Sequence, residues 1–138
     1  MNLLRIVMMT AIFGWAWGGD TPPAMAGDPA AGEKVFNKCK VCHTLEAGKN
    51  KVGPSLHELF GRTAGTLDGF KFSNDMKEAG AKGLVWSEES FVSYIADPKP
   101  FIGKIIGEKS ATTKMVFPGL KKQKDRDDLL TYLKEATK

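Results

Sequence analysis

The sequence predicts an all-α fold: a few short helices joined by long loops. Three observations carry that expectation. Helix start and stop signals recur at Asp28-Pro29, at Ser73, at "WSEESFVSYIADP" and at "DRDDLLTYLKEATK". No stretch reads as a strand hairpin, with apolar and polar residues alternating between turn residues. The remainder, "TLEAGKNKVGPSLHELFGRTAGTLDGF" and "PKPFIGKIIGEKSATTKMVFPG", is rich in glycine and proline and reads as loop. Loops of that length in a small domain need something bulky to fold around.

The first helix opens "PAAGEKVFNKC", with Asp28 as N-cap and Pro29 in the first turn. Ala31, Val35 and Phe36 share a face with Cys39. Gly32 lies one turn before Phe36 on that side, where a mid-helix glycine marks close approach of another backbone. A shorter helix starts at Ser73 in "SNDMKEAGAKG". In "WSEESFVSYIADP", Ser87 caps, Glu88 and Glu89 face the positive helix end and Pro98 stops the helix. Trp86 and Phe91 are spaced as a hydrophobic staple, and Phe91, Tyr94 and Ile95 point inward. The last helix, "DRDDLLTYLKEATK", carries Leu129, Leu130, Leu133 and Ala136 on one stripe flanked by Tyr132, with acids early and lysines late.

Residues 1–26 read as a cleaved secretory leader. Arg5 precedes the apolar run "IVMMTAIFGWAW", and Ala24-Met25-Ala26 supplies the small residues a signal peptidase needs. The run is shorter than the roughly 20 residues that cross a bilayer core. The expected mature chain is a single domain, 27–138, exported to the periplasm. Its charge is +4, and loss of the leader removes Arg5 and Asp20 together, leaving that balance unchanged. A moderate positive charge suits an acidic partner. No arginine cluster or ladder of stacking aromatics points to nucleic acid.

The chain has two cysteines and two histidines, and three of these four stand together in "CKVCHT". A redox dithiol wants its cysteines at a strand-to-helix turn, and no strand precedes Cys39. A zinc site could draw on Cys39, Cys42, His43 and His57. But Cys42 and His43 are adjacent, and His57 lies too far on for paired zinc histidines. Covalent haem needs C-x-x-C-H itself: one helical turn spaces two thiols for the two vinyl groups, and the next residue sets an imidazole under the iron. That reading also consumes both cysteines of an exported chain and supplies the bulky group that the loops require. For the other face of the iron the chain offers His57, Met76 and Met115. Met115, in the loop "TTKMVFPG", is the best separated from His43.

The segments "GEKVFNKCKVCHT", "VGPSLHELFGR", "WSEESFVSYIADPK", "TKMVFPGLKK" and "DRDDLLTYLK" resemble, in order and spacing, the class I c-type cytochromes. The resemblance implies the cytochrome c fold around one covalently bound haem c, with thioethers from Cys39 and Cys42 and axial ligands His43 and Met115. It implies that the Pro54 carbonyl orients His43, that Trp86 and Arg62 meet the propionates, and that the Tyr94 hydroxyl lies near the Met115 sulfur. It also implies that Gly32, Phe36, Leu129 and Tyr132 form the crossing of first and last helices. Two residues depart from the pattern: Phe72 stands where the family often has a propionate-bonding tyrosine, and Met76 where an asparagine often holds a buried water. The segment "FIGKIIGEKSATT" is longer than in mitochondrial forms and resembles larger bacterial carriers.

The implied function is that of a one-electron carrier, a monomer that makes and breaks no substrate bond. Lys38, Lys51, Lys99, Lys114 and Lys121 match the family's docking lysines. A membrane quinol-oxidising cytochrome complex is the expected donor. A terminal oxidase, a photosynthetic reaction centre or a soluble reductase is the expected acceptor. The alternative is a haem enzyme or gas sensor with a labile sixth ligand, which would need an open distal site.

Overall fold

Asp28 starts the first helix as its type requires. Its carboxylate accepts the Ala30 amide at 2.9 Å, and Pro29 occupies the first turn, where an N–H has no intrahelical acceptor. The structure, a computed structural model, describes residues 27–138; the expected leader lies outside the described residues. Five helices follow in order: α1 Pro29–Phe36, α2 Asn74–Ala81, α3 Glu88–Ala96, α4 Pro98–Ile106 and α5 Gln123–Ala136. The only strand-like feature among the described residues is an isolated antiparallel bridge, Thr63 to Val85. None of these helices is long and apolar enough to cross a membrane.

α1 is shorter than its sequence suggests. It ends at Phe36, and the chain continues to His43 in separate turns that still bond helically: Lys40 N–H to Phe36 O at 2.9 Å and His43 N–H to Cys39 O at 2.9 Å. α2 has the expected Ser73 cap, whose hydroxyl accepts the Met76 amide at 3.3 Å. α3 is capped by a reciprocal box in which Ser90, rather than a glutamate, reaches back to Ser87 N–H at 2.8 Å. Trp86 and Phe91, expected as a staple, are both buried; their nearest aromatic neighbours are Tyr94 at 4.9 Å and Phe60 at 5.6 Å, centroid to centroid.

Helix α4 overturns the reading of 98–106 as loop. Pro98 does stop α3, because a residue before proline is pushed to extended backbone, and Asp97 sits at φ −159°, ψ 88°. The same proline then opens α4. Pro98 and Pro100 both fall in its first turn, where their missing N–H groups cost no helical bond. Ile102 is fully buried, Phe101 and Ile105 pack on the core, and Gly107 ends the helix at φ 87°. α5 begins at Gln123, two residues before the expected start, with no side-chain cap.

The most extensive helix contact is α1 on α5. A Cβ on Gly32 would lie 2.0 Å from the Asp128 carbonyl oxygen and 2.7 Å from Tyr132 Cβ. Phe36 packs on Tyr132 with tilted rings 5.5 Å apart, and Leu129 and Leu133 are each 1% exposed. Fully burying such a leucine stabilises by about 1.5–3 kcal/mol. The crossing also contains a charge that the sequence hid. The Asp128 side chain is buried, accepting the Asp28 amide at 2.8 Å and the Lys124 ammonium at 2.7 Å. The hydrogen bond from Lys124, then that from Asp28 N–H, holds its carboxyl below the usual carboxylate range.

Gly32→Ala must push the crossing apart, since its clash is with backbone. It is expected to lower unfolding stability by about 1–3 kcal/mol in a denaturant titration. Asp128 gives a pH prediction. Its pKa is depressed on folding, so its contribution is present above the ordinary value of 3.8 and is lost as pH falls through the folded value. Asp128→Asn is therefore less stable than wild type at neutral pH, and acid unfolding curves of the two converge below that window.

Candidate functional site

The turns after α1 deliver Cys39, Cys42 and His43 to the lining of an apolar cavity of about 270 Å³. Leu59, Trp86, Phe91, Tyr94 and Ile95 line it from the core, and Leu129 and Leu133 from α5. Met115 lines the same cavity from the loop between α4 and α5. Phe72 and Met76, the two departures from the family pattern, are on the lining too. The cavity thus collects two thiols, an imidazole and thioether sulfurs in apolar surroundings. His57 is not on that lining. It borders a wider, more open groove with Glu58, Glu88 and Lys134, which contains no cysteine or methionine.

His43 is held in one tautomer. Its Nδ1 lies 2.8 Å from the Pro54 carbonyl, and because a carbonyl can only accept, Nδ1 carries the proton. Nε2 is left with its lone pair, as a metal ligand needs. Burial lowers the pKa of His43; the Pro54 hydrogen bond opposes that shift, and the Arg62 charge adds to it. The ring is therefore neutral over a wider range than usual. Gly53, which sequence reasoning passed over, makes room for it: a Cβ there would lie 2.5 Å from His43 Cε1. Its position one residue before Pro54 in "KVGPSL" was the available signal. The loop is pinned by Gly53 N–H to Cys42 O at 2.8 Å and by Ser55 N–H to Asn50 Oδ1 at 2.9 Å.

The thiols argue against disulfide exchange. Cys39 and Cys42 are unjoined, and burial pushes Cys39 up to about 11, keeping it protonated at neutral pH. A redox Cys-x-x-Cys has its thiol lowered instead. No cluster of three or more His, Cys, Asp or Glu among the described residues could hold a metal ion, so the zinc set drawn from the sequence does not assemble.

Tyr94, also on the cavity lining, is buried and its pKa pushed up by burial, so its hydroxyl stays a donor. It donates toward the Met115 sulfur at 3.9 Å, a long contact to a soft acceptor. Arg62 donates to Ser55 O at 3.1 Å and His57 O at 3.3 Å, and it lines both the cavity and the groove. Trp86 and Arg62 are brought together by backbone: Trp86 N–H bonds Arg62 O at 2.9 Å, and Gly61 N–H bonds Trp86 O at 2.8 Å.

The five lysines singled out by resemblance are all exposed, in differing surroundings. Lys38 and Lys114 border the cavity. Lys51 donates to Lys40 O at 2.8 Å and Lys114 to Lys71 O. Lys121 donates to Ala96 O at 3.0 Å and lies 3.5 Å from Asp97, which partly offsets its charge. Lys99 stands in the first turn of α4. Three valines, Val41, Val52 and Val116, are 75%, 76% and 98% exposed. They neighbour Cys42, Gly53 and Met115 in the chain.

A covalently held haem fits this donor set: two spaced thiols, a neutral imidazole with Nε2 free, a thioether on the same cavity and apolar walls. The sequence profile of the family described as Cytochrome c matches residues 29–137. The chain is 48% identical over 125 residues to cytochrome c2 of Cereibacter sphaeroides, covering 83% of this chain and 86% of that protein. It is 45% identical over 120 residues to cytochrome c of Ginkgo biloba, covering 86% and 94%. Among solved structures, cytochrome c2 from Rhodospirillum centenum superposes with a TM-score of 0.74 at 39% identity, over 81% of this chain and all of the other. The chain belongs to the cytochrome c family, and it is an electron carrier whose cofactor is one covalently attached haem c.

Proposed function

We propose that the protein is a soluble one-electron carrier of the periplasm with a closed, six-coordinate iron. The observation that carries this reading is that His43 and Met115 line one apolar cavity together with both cysteines. Cys39 and Cys42 would form the thioethers, and His43 Nε2 and the Met115 sulfur would be the axial ligands. When bound, the haem supplies a single reversible electron. The residues do the rest. Pro54 fixes the imidazole plane through His43 Nδ1. Tyr94 keeps its proton beside Met115 and donates toward its sulfur. Arg62 and Trp86 are the groups for the propionates. A neutral thioether and apolar walls disfavour the extra charge of Fe(III) and so raise the potential.

An enzyme or gas sensor would need an open distal face with an acid or base on it. His57, the one remaining histidine, borders the other groove instead. No substrate bond is made or broken in this reading. The mature chain would be the single domain 27–138, exported behind a cleaved leader and working as a monomer. Exposed Val52 and Val116 border the cavity with Lys38 and Lys114 and would form the docking edge, with Lys51, Lys99 and Lys121 adding positive charge. A membrane quinol-oxidising cytochrome complex is the proposed donor, and a terminal oxidase, photosynthetic reaction centre or soluble reductase the acceptor.

Two measurements test this. Met115→Ala is expected to lose the weak far-red band that methionine–iron ligation gives in the ferric protein, and to bind carbon monoxide when reduced. An unchanged spectrum and potential would remove Met115 from the iron. Oxidation of the reduced protein by ferricyanide, an anion, should slow several-fold as ionic strength rises and the Debye length shrinks from about 30 Å at 0.01 M to about 8 Å at 0.15 M. A flat salt profile would remove the lysine steering.

A further inference from the structure

The loop that carries Met115 is fastened on both sides, by different means. After Met115 the anchors are close backbone contacts. Leu120 N–H bonds Ile95 O at 2.7 Å, a Cβ on Gly119 would lie 2.2 Å from Ala96 O, and Arg126 donates to Leu120 O and Lys121 O at 2.5 and 2.9 Å. Before Met115 the chain is more exposed, and its ties are fewer. Ala111 N–H bonds Lys99 O at 3.0 Å, and Lys114 donates to Lys71 O with its ammonium 6.0 Å from the Phe70 ring centre. The third tie is the Thr112 amide, which donates to the Asp75 carboxylate at 2.6 Å.

Asp75 stands in the first turn of α2, but the cap of that helix is already Ser73, so the carboxylate is free to reach across to the loop. It stands one residue before Met76, on the cavity wall, and its partner stands three residues before Met115. Eight residues, 107–114, lie outside any helix between the end of α4 and Met115. A longer segment has more conformations in which Met115 is withdrawn, and a charge-assisted bond across it removes many of them.

We propose that Asp75 is a positioning residue for Met115, holding the loop down on α2 and so setting how often the sulfur leaves the iron. This rests on the reading of Met115 as axial ligand. Local opening of a loop obeys its own equilibrium, separate from global unfolding, and an added ligand can bind only in the open fraction.

The test uses the ferric holoprotein and imidazole as the captured ligand. Asp75→Ala is expected to speed imidazole capture about tenfold, the factor that ~1.4 kcal/mol gives, and to speed hydrogen exchange at the Thr112 amide similarly. Asp75→Asn, whose amide oxygen still accepts, should fall between it and wild type. Glu46→Ala, which removes an exposed ion pair with Lys49 and no contact of this loop, should leave capture within about twofold of wild type. Capture by both Asp75 variants at the wild-type rate overturns the proposal, as does an equal rise in Glu46→Ala. The two readings fail differently. A wild-type ferric protein without the far-red methionine band removes Met115 as ligand, and this inference with it. A band that is present alongside unchanged capture removes Asp75 alone.

Discussion

The contact of Gly32 with the backbone of α5 is the constraint on which the rest depends. It lets α1 and α5 cross with no side chain between them at that point. The cysteines and His43 follow directly from the end of α1, while the Met115 loop runs directly into the start of α5. One crossing therefore ties together the two stretches of chain that carry His43 and Met115. Asp128 strengthens it where an apolar residue could not, taking the Asp28 amide and the Lys124 ammonium together. A lone buried carboxylate would be costly, and its two partners are what make it tolerable.

Around that crossing, the groups nearest the cavity are kept neutral. His43 loses its charge to burial, Tyr94 keeps its proton for the same reason, and Met115 has none to lose. Electron transfer wants surroundings that need not rearrange when the cofactor's charge changes by one. Neutral groups meet that need because they carry no charge of their own that must be rearranged. Of the charged residues on the cavity border, Arg62 is held by two backbone carbonyls, while Lys38 and Lys114 are exposed.

The loops owe their order to polar contacts rather than to a packed sheet. Short bonds such as Thr44 Oγ1 to Lys49 O and Ser55 Oγ to Glu46 O, both 2.6 Å, satisfy backbone groups that a strand ladder would otherwise take. The Thr63–Val85 bridge does the same for the segments that carry Arg62 and Trp86. The same economy leaves the approach to Met115 as the weakly tied side of the site.

The sequence alone determined the chemistry. The spacing in "CKVCH" dictates covalent haem because two thiols and an imidazole must meet one planar group. Caps such as Asp28, Ser73 and Ser87 were legible because capping is local to a few residues. Long-range effects were not. Pro98 reads as a stop and also acts as a start, and only the burial of Ile102 distinguishes the two. Gly53 is one glycine among 15 until His43 is packed against it. Asp128 reads as a surface acid in a run of acids, and Asp75 as an ordinary helix-start residue. Their roles exist only where distant backbone amides come within 3 Å. Local sequence specifies which groups are present and which turns they favour. Which of them touch is decided by how the helices cross.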